Sequence, residues 1–191
     1  MNEGYLGTPF TFLVETLIGL YILVVMLRFL FQIVRADFYN PITQTLVKMT
    51  HPVLAPLRRV LPSIGRADTA SIVLLLLLQF LSLAIVSAIG GLSINVPFLL
   101  IYSVAELVNL LLNVFLVAIF IRVIMSWVSP GSRHPAMDLL DSLVEPVLGP
   151  VRRMLPDMGG LDLSPIAVLL GIQVLKMLLI PPIRQLAFAV G

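Results

Sequence analysis

Pro52-Val53-Leu54-Ala55-Pro56-Leu57-Arg58-Arg59-Val60-Leu61-Pro62-Ser63-Ile64-Gly65 recurs, with no gap inside it, as Pro146-Val147-Leu148-Gly149-Pro150-Val151-Arg152-Arg153-Met154-Leu155-Pro156-Asp157-Met158-Gly159. The shift is constant at 94 residues (146 − 52), and it also carries Arg28 onto Arg122 and Asp68 onto Asp162. Hydrophobic runs flank both copies. The chain therefore reads as two tandem repeats, 1–93 and 94–191, each built as span, interfacial amphipathic element, span.

Composition fixes the class. The 191 residues are 59% hydrophobic and 12% charged, with a mean hydropathy of +1.08. A soluble domain is about 45–50% apolar and about 25% charged. The excess belongs in a bilayer, and the expected fold is an all-α membrane protein of about four transmembrane helices. The absence of cysteine excludes disulfides, thiolate metal sites and cysteine nucleophiles. A net charge of +2 offers no nucleic-acid-binding surface. Met1 to Pro9 carries no Lys or Arg, so the first apolar run is expected to stay as an anchor.

The spans are expected near 10–34, 69–89, 98–128 and 163–180, with interfacial elements over 40–65 and 134–159. The third run, within Pro97 to Val128, exceeds a bilayer core and must tilt, kink or emerge. The fourth is marked at its end by Lys176 and Pro181-Pro182, beyond which a kinked helix has room to continue. Asn40-Pro41 reads as an N-cap followed by proline at the first helical position. From there Ile42, Leu46, Met49 and Val53 recur at helical spacing. Proline lacks the N–H and clashes with the preceding turn, so Pro52, Pro56 and Pro62 are expected to break this helix into a bend and a second turn carrying Arg58 and Arg59. Such an element lies in the membrane interface.

Orientation follows from where Lys and Arg sit. Arg35, Lys48, Arg58, Arg59 and Arg66 fall in the first interfacial loop, and Arg133, Arg152 and Arg153 in the second. The N-terminus and the middle turn hold none, and only Arg184 in the tail runs against the pattern. Both Pro-Arg-Arg loops are expected in the cytoplasm and both termini in the periplasm. Two spans per repeat give the repeats the same orientation, related by an axis along the membrane normal.

A doubled Pro-x-x-x-Pro-x-Arg-Arg-x-Leu-Pro-x-x-Gly-x-x-Asp, each copy preceded by Asn-Pro or His-Pro and followed by a hydrophobic span, resembles the YggT family. Asp37-Phe38-Tyr39-Asn40-Pro41 and Met125-Ser126-Trp127-Val128 are similar to its two-repeat proteobacterial members. The resemblance implies a bacterial inner-membrane protein linked to tolerance of osmotic or ionic stress. For YlmG-type relatives it implies roles in cell division, nucleoid distribution and plastid cytochrome assembly. It implies no catalytic residues and no substrate.

Each polar constellation has two readings. Arg58, Arg59, Arg152 and Arg153 either dock on anionic lipid or an acidic partner, or serve only as topological markers. Arg28 and Arg122 either snorkel or pair with Asp68 and Asp162 at the starts of spans two and four. Glu106, Asn109 and Asn113 share one helical face, and Glu15 maps onto Asn109. These line an ion pathway or hydrogen-bond between helices. Gln79 and Gln173 coincide in the repeats and read as glue between helices. Asp138, Asp141 and Glu145 form an acidic face absent from the first copy. His51 and His134 lack a ligand set at metal spacing, and Ser71 and Ser164 lack a paired His base. Neither cofactor nor catalysis is expected.

Two functional classes remain. The first is a non-enzymatic scaffold or assembly factor with a basic cytoplasmic face for anionic lipids and an unidentified protein partner. The second is a small channel or transporter, which needs a homo-oligomer because four spans enclose little space.

Overall fold

The structure, a computed structural model, describes residues 7–63, 67–128, 134–155 and 162–190. These fold as six helices: α1 (Gly7–Ile33), α2 (Pro41–Val60), α3 (Thr69–Ile89), α4 (Val96–Val128), α5 (Pro135–Met154) and α6 (Ser164–Val190). Arg66, Arg133 and the far ends of the two interfacial elements, 64–65 and 156–159, lie outside the described residues.

Four helices are long and apolar enough to cross a bilayer: Pro9–Ile33, Thr69–Ile89, Val96–Val128 and Ser164–Val190. Within their most apolar windows only 17–22% of residues are buried against other helices. Phe12, Leu17, Leu77, Phe120, Leu170 and Phe188 are all more than half exposed. Water would penalise such a surface heavily, whereas acyl chains accept it. The chain is a multi-pass membrane protein.

Within each repeat the two spans pack together, α1 on α3 and α4 on α6, while α3 meets α4 across the repeats. The amphipathic helix of each repeat leans on its own two spans, and α5 also reaches α1. Ile22, Val25 and Leu30 of α1, Leu54 of α2, Leu74 of α3, Ile119 of α4 and Leu143 and Val144 of α5 are buried in one continuous core. The turn from α3 to α4 is closed as a Schellman cap. The Leu92 N–H donates to Ser87 O at 2.9 Å and the Gly91 N–H to Ala88 O at 3.2 Å, with Gly91 at φ +67°. Glycine suits that left-handed position because it has no Cβ to clash.

Two expectations about proline need correction. Pro52 and Pro56 do not break α2, and Pro146 and Pro150 do not break α5; both helices run through them. The prolines are four apart and exposed, so the ladder interruptions fall on one outward face. On the opposite face Thr43, Leu46, Thr50 and Leu54 are buried against the spans, and this packing offsets the proline cost of about 3 kcal/mol each. The helices end instead two residues before the next proline in the sequence. Leu61 and Leu155 are extended, as a residue preceding proline prefers. The buried stripe also differs from the expected one: Leu46 belongs to it, but Ile42, Met49 and Val53 face outward. In the last helix Pro181-Pro182 is likewise accommodated, and α6 continues past the expected end at 180 to Val190. Buried Ile180 and Ala187, together with Phe188 against Phe98 at 5.2 Å between centroids, hold the extension to α4.

Candidate functional site: the arginine-bearing ends of the amphipathic helices

The two amphipathic helices start from equivalent caps. Asn40 Oδ1 accepts the Ile42 N–H at 3.0 Å, and His134 Nδ1, at the equivalent position, accepts the Ala136 N–H at 3.2 Å. His134 is thus a helix cap, and proline at the first helical position follows both. Asn40 Nδ2 also donates to Pro135 O at 2.7 Å. That bond ties the start of α2 to the start of α5, so the two helices share one end of the bundle.

Arg58-Arg59 and Arg152-Arg153 occupy the last turns of α2 and α5. Cations there also suit the negative end of the helix dipole. Within each pair the two arginines differ. Arg58 reaches the start of α3, where its Nε donates to Asp68 Oδ2 at 3.1 Å and its Nη2 to the same oxygen. Ser71 Oγ donates to that oxygen at 2.7 Å. The Asp68 side chain is 0% exposed and that of Arg58 35%. Burial pushes the Asp68 carboxyl up, but the hydrogen bonds from Arg58 and Ser71, with the charge of Arg58, bring it below the usual carboxylate range. Arg152 repeats the arrangement with Asp162 at 2.9 Å and adds Glu145 at 3.2 Å. Burial likewise pushes Asp162 up, and Ser164 and Arg152 bring it down. Arg59 and Arg153 remain exposed.

The expected pairing of Arg28 and Arg122 with Asp68 and Asp162 is therefore not the one formed. Arg28, only 6% exposed, donates through Nη1 to Thr50 Oγ1 of α2. Arg122 pairs with Asp141 of α5. The aspartates sit at the foot of α3 and α6, within reach of the arginines that end α2 and α5. Arg28 and Arg122, in the last two turns of α1 and α4, meet Thr50 and Asp141 inside the amphipathic helices instead.

A second polar set lies along α4 and α6. Glu106 Oε1 accepts from Arg184 Nη2 at 2.6 Å, and the Arg184 guanidinium lies 5.5 Å from the centroid of the Tyr102 ring. Asn113 Oδ1 accepts from Lys176 Nζ at 2.6 Å. Asn109 lies between them, partly buried, while Glu15 on α1 is exposed. Gln79 is partly buried, but Gln173 faces outward, so the two glutamines do not share an environment. Sequence reasoning missed Lys176 and Arg184 as partners. Their signal was present: 106 and 184 sum to 290 and 113 and 176 to 289, the near-constant sum of an antiparallel helix pair. Among the described residues no group of three metal-ligating side chains converges.

The chain matches the CCB3/YggT family over residues 8–89 and again over 101–183. An uncharacterised protein of Pseudomonas aeruginosa is 44% identical over 92% of this chain and 90% of its own length. The uncharacterised protein YggT of Escherichia coli K12 is 41% identical over 87% of each. A Vibrio alginolyticus protein, also uncharacterised, is 41% identical over 85% of this chain and 89% of its own length. No solved structure is detectably similar.

Proposed function

The chain belongs to the CCB3/YggT family, and on that premise we propose a non-enzymatic organising or assembly factor of the bacterial inner membrane. In this reading the termini face the periplasm. The ends of α2 and α5 present a basic cytoplasmic face that docks on anionic lipid or an acidic protein partner, in a role tied to osmotic or ionic stress. One observation carries the reading: two amphipathic helices, tied together through Asn40 and Pro135, each end in an exposed arginine pair of which one member is held by a carboxylate and the other, Arg59 or Arg153, is bonded to none among the described residues. Each such arginine contributes about 1 kcal/mol near an anionic leaflet. Arg58 and Arg152 are engaged by carboxylates, so Arg59 and Arg153 are the docking residues.

The test is the double change Arg59→Gln with Arg153→Gln, which leaves both ion pairs intact. The variant should insert normally and retain less anionic relative to zwitterionic lipid, with a salt-sensitive difference from wild type. It should complement a deletion strain poorly under osmotic stress. Full complementation and unchanged lipid retention would refute docking.

A second reading, a small oligomeric channel or transporter, is favoured by one specific feature. Lys176 lies near the middle of α6 with a neutral amide as its partner, and intramembrane charges of this kind mark ion paths. Ion flux through the purified protein in liposomes, lost in Lys176→Leu, would support it; no flux would end it.

A further inference from the structure

The junction of α1 and α2 holds a pocket of about 440 Å³, within the range of small-ligand sites. Arg28, Arg35 and Arg58 line it, together with Gln32, Thr43 and Ser63. Three guanidiniums share this space, and the one carboxylate bonded to any of them among the described residues is Asp68, held by Arg58. Thr43 is 7% exposed, and its Oγ1 is buried without a partner. An unpartnered buried hydroxyl carries a free-energy cost unless something supplies the missing bond.

The way α1 ends adds to this. Arg35 has φ +56°. The Ala36 N–H donates to Phe31 O at 2.9 Å and the Arg35 N–H to Gln32 O at 3.3 Å. This is the cap that Gly91 forms after α3, but here the left-handed position holds arginine. A side chain at that position costs roughly 1 kcal/mol relative to glycine, and the one present brings a cation to the pocket.

The second repeat provides the internal comparison. At the 94-residue shift Val47 becomes Asp141, His51 becomes Glu145, Thr43 becomes Met137 and Arg35 becomes Ser129, the last outside the described residues. Asp141 pairs with Arg122 and Glu145 with Arg152. The second repeat thus answers Arg122 and Arg152 with its own carboxylates and has no hydroxyl at the position of Thr43. The first repeat has valine where Asp141 would be, and among the described residues Arg28 bonds only to a neutral hydroxyl. The anion that the second repeat carries in its sequence is missing from the first.

We propose that this pocket takes one phosphate group, the headgroup phosphate of an anionic phospholipid or a free phosphate ion. Its planar guanidiniums and the Thr43 hydroxyl supply donors to the oxygens. The proposal rests on the reading of this face as one that docks on anionic lipid, and it adds to the exposed Arg59 and Arg153 a single defined site in the first repeat.

The test uses the full chain in neutral detergent. Dioctanoyl phosphatidylglycerol, inorganic phosphate and, as control, dioctanoyl phosphatidylcholine are added separately. Thermal unfolding is recorded, and native mass spectrometry counts retained lipid. The expected result is one retained phosphatidylglycerol per chain with a rise in Tm, and no effect of phosphatidylcholine. Stabilisation by phosphatidylglycerol alone assigns the lipid source, and an equal effect of inorganic phosphate assigns the free ion. Val47→Asp places the second repeat's carboxylate in the pocket and should abolish both effects. If Val47→Asp does not fold, Arg35→Gln serves, with affinity expected to fall by about tenfold for the loss of a charged donor. No stabilisation by either phosphate probe, or stabilisation unchanged in the variant that folds, overturns the proposal. Loss of docking through Arg59 and Arg153 is separable, because that double variant should keep the single retained lipid while losing the salt-sensitive excess.

Discussion

Arg58→Ala and Arg152→Ala remove equivalent side chains from the two repeats, yet they should not cost the same. In the first repeat the change leaves the Asp68 carboxylate, 0% exposed, with Ser71 as its remaining side-chain donor. Breaking a buried pair typically costs 3–5 kcal/mol because the surviving charge is stranded. Arg58 is itself 35% exposed and partly screened, so about 3 kcal/mol is the expected cost. In the second repeat Arg152 is 47% exposed and its two partners, Asp162 and Glu145, are 40% and 60% exposed, so the loss of both solvated contacts together falls in the range of about 0–1 kcal/mol. For a chain of this size each kcal/mol moves Tm by roughly 2–4 °C. Arg58→Ala should therefore lower the Tm of the detergent-solubilised protein by about 6–12 °C, and Arg152→Ala by no more than about 4 °C. The double change Arg58→Ala with Asp68→Ala should recover part of the loss, since it removes the stranded charge. Equal Tm losses in the two repeats, or strict additivity in the Arg58–Asp68 cycle, would refute the reasoning.

The Asp68 carboxyl is depressed in the folded protein, so its stabilising contribution is present above the unfolded value of about 4 and is lost as pH falls through the lower folded value. Acid unfolding profiles of wild type and Asp68→Asn should converge below about pH 4. A double-mutant cycle on Glu106 and Arg184, both to Ala, should show coupling of about 1 kcal/mol or more, because the pair lies between two spans; additivity would mean the contact carries nothing. Gly91→Ala should destabilise by about 1 kcal/mol at its left-handed position, measured as a lower Tm. Reporter fusions at Ser93 and Gly191 should behave as exported and one at Ser63 as cytoplasmic; a cytoplasmic signal from Gly191 would contradict the orientation.

Much of the architecture was legible because it depends on local pattern. The repeat, the four apolar runs and the Asn40-Pro41 and His134-Pro135 starts follow from residue identity at fixed spacing. The continuity of α2 and α5 was not legible, since the rule that proline breaks a helix is a local one. Here it is overridden by the burial of Thr50 and Leu54 on the face opposite Pro52 and Pro56. The choice of ion-pair partners was hidden for a different reason. Arg28 and Arg58 both recur at the 94-residue shift, as does Asp68, so repeat symmetry alone admits either pairing. Only the reach from the end of α2 to the start of α3 decides between them. Asp141 and Glu145 stood out as an acidic face without a purpose; their purpose depends on which arginines α5 is laid against.

The bonds of α6 to α4 have a consequence for biogenesis. A charged residue near the centre of an inserting helix costs about 2.5–3.5 kcal/mol in a translocon assay, and α6 carries Lys176 and Arg184 as well as two adjacent prolines. Synthesis runs from the N-terminus, so α4, bearing Glu106 and Asn113, is already in place when α6 arrives. Those two side chains bond its cations in the folded protein, so entry of the last helix should depend on the fourth. We predict that Glu106→Leu with Asn113→Leu leaves the first four helices where they belong but strands α6 on the cytoplasmic side, where a C-terminal glycosylation or phosphatase tag would report it. Normal export of the tag would show that α6 enters unaided.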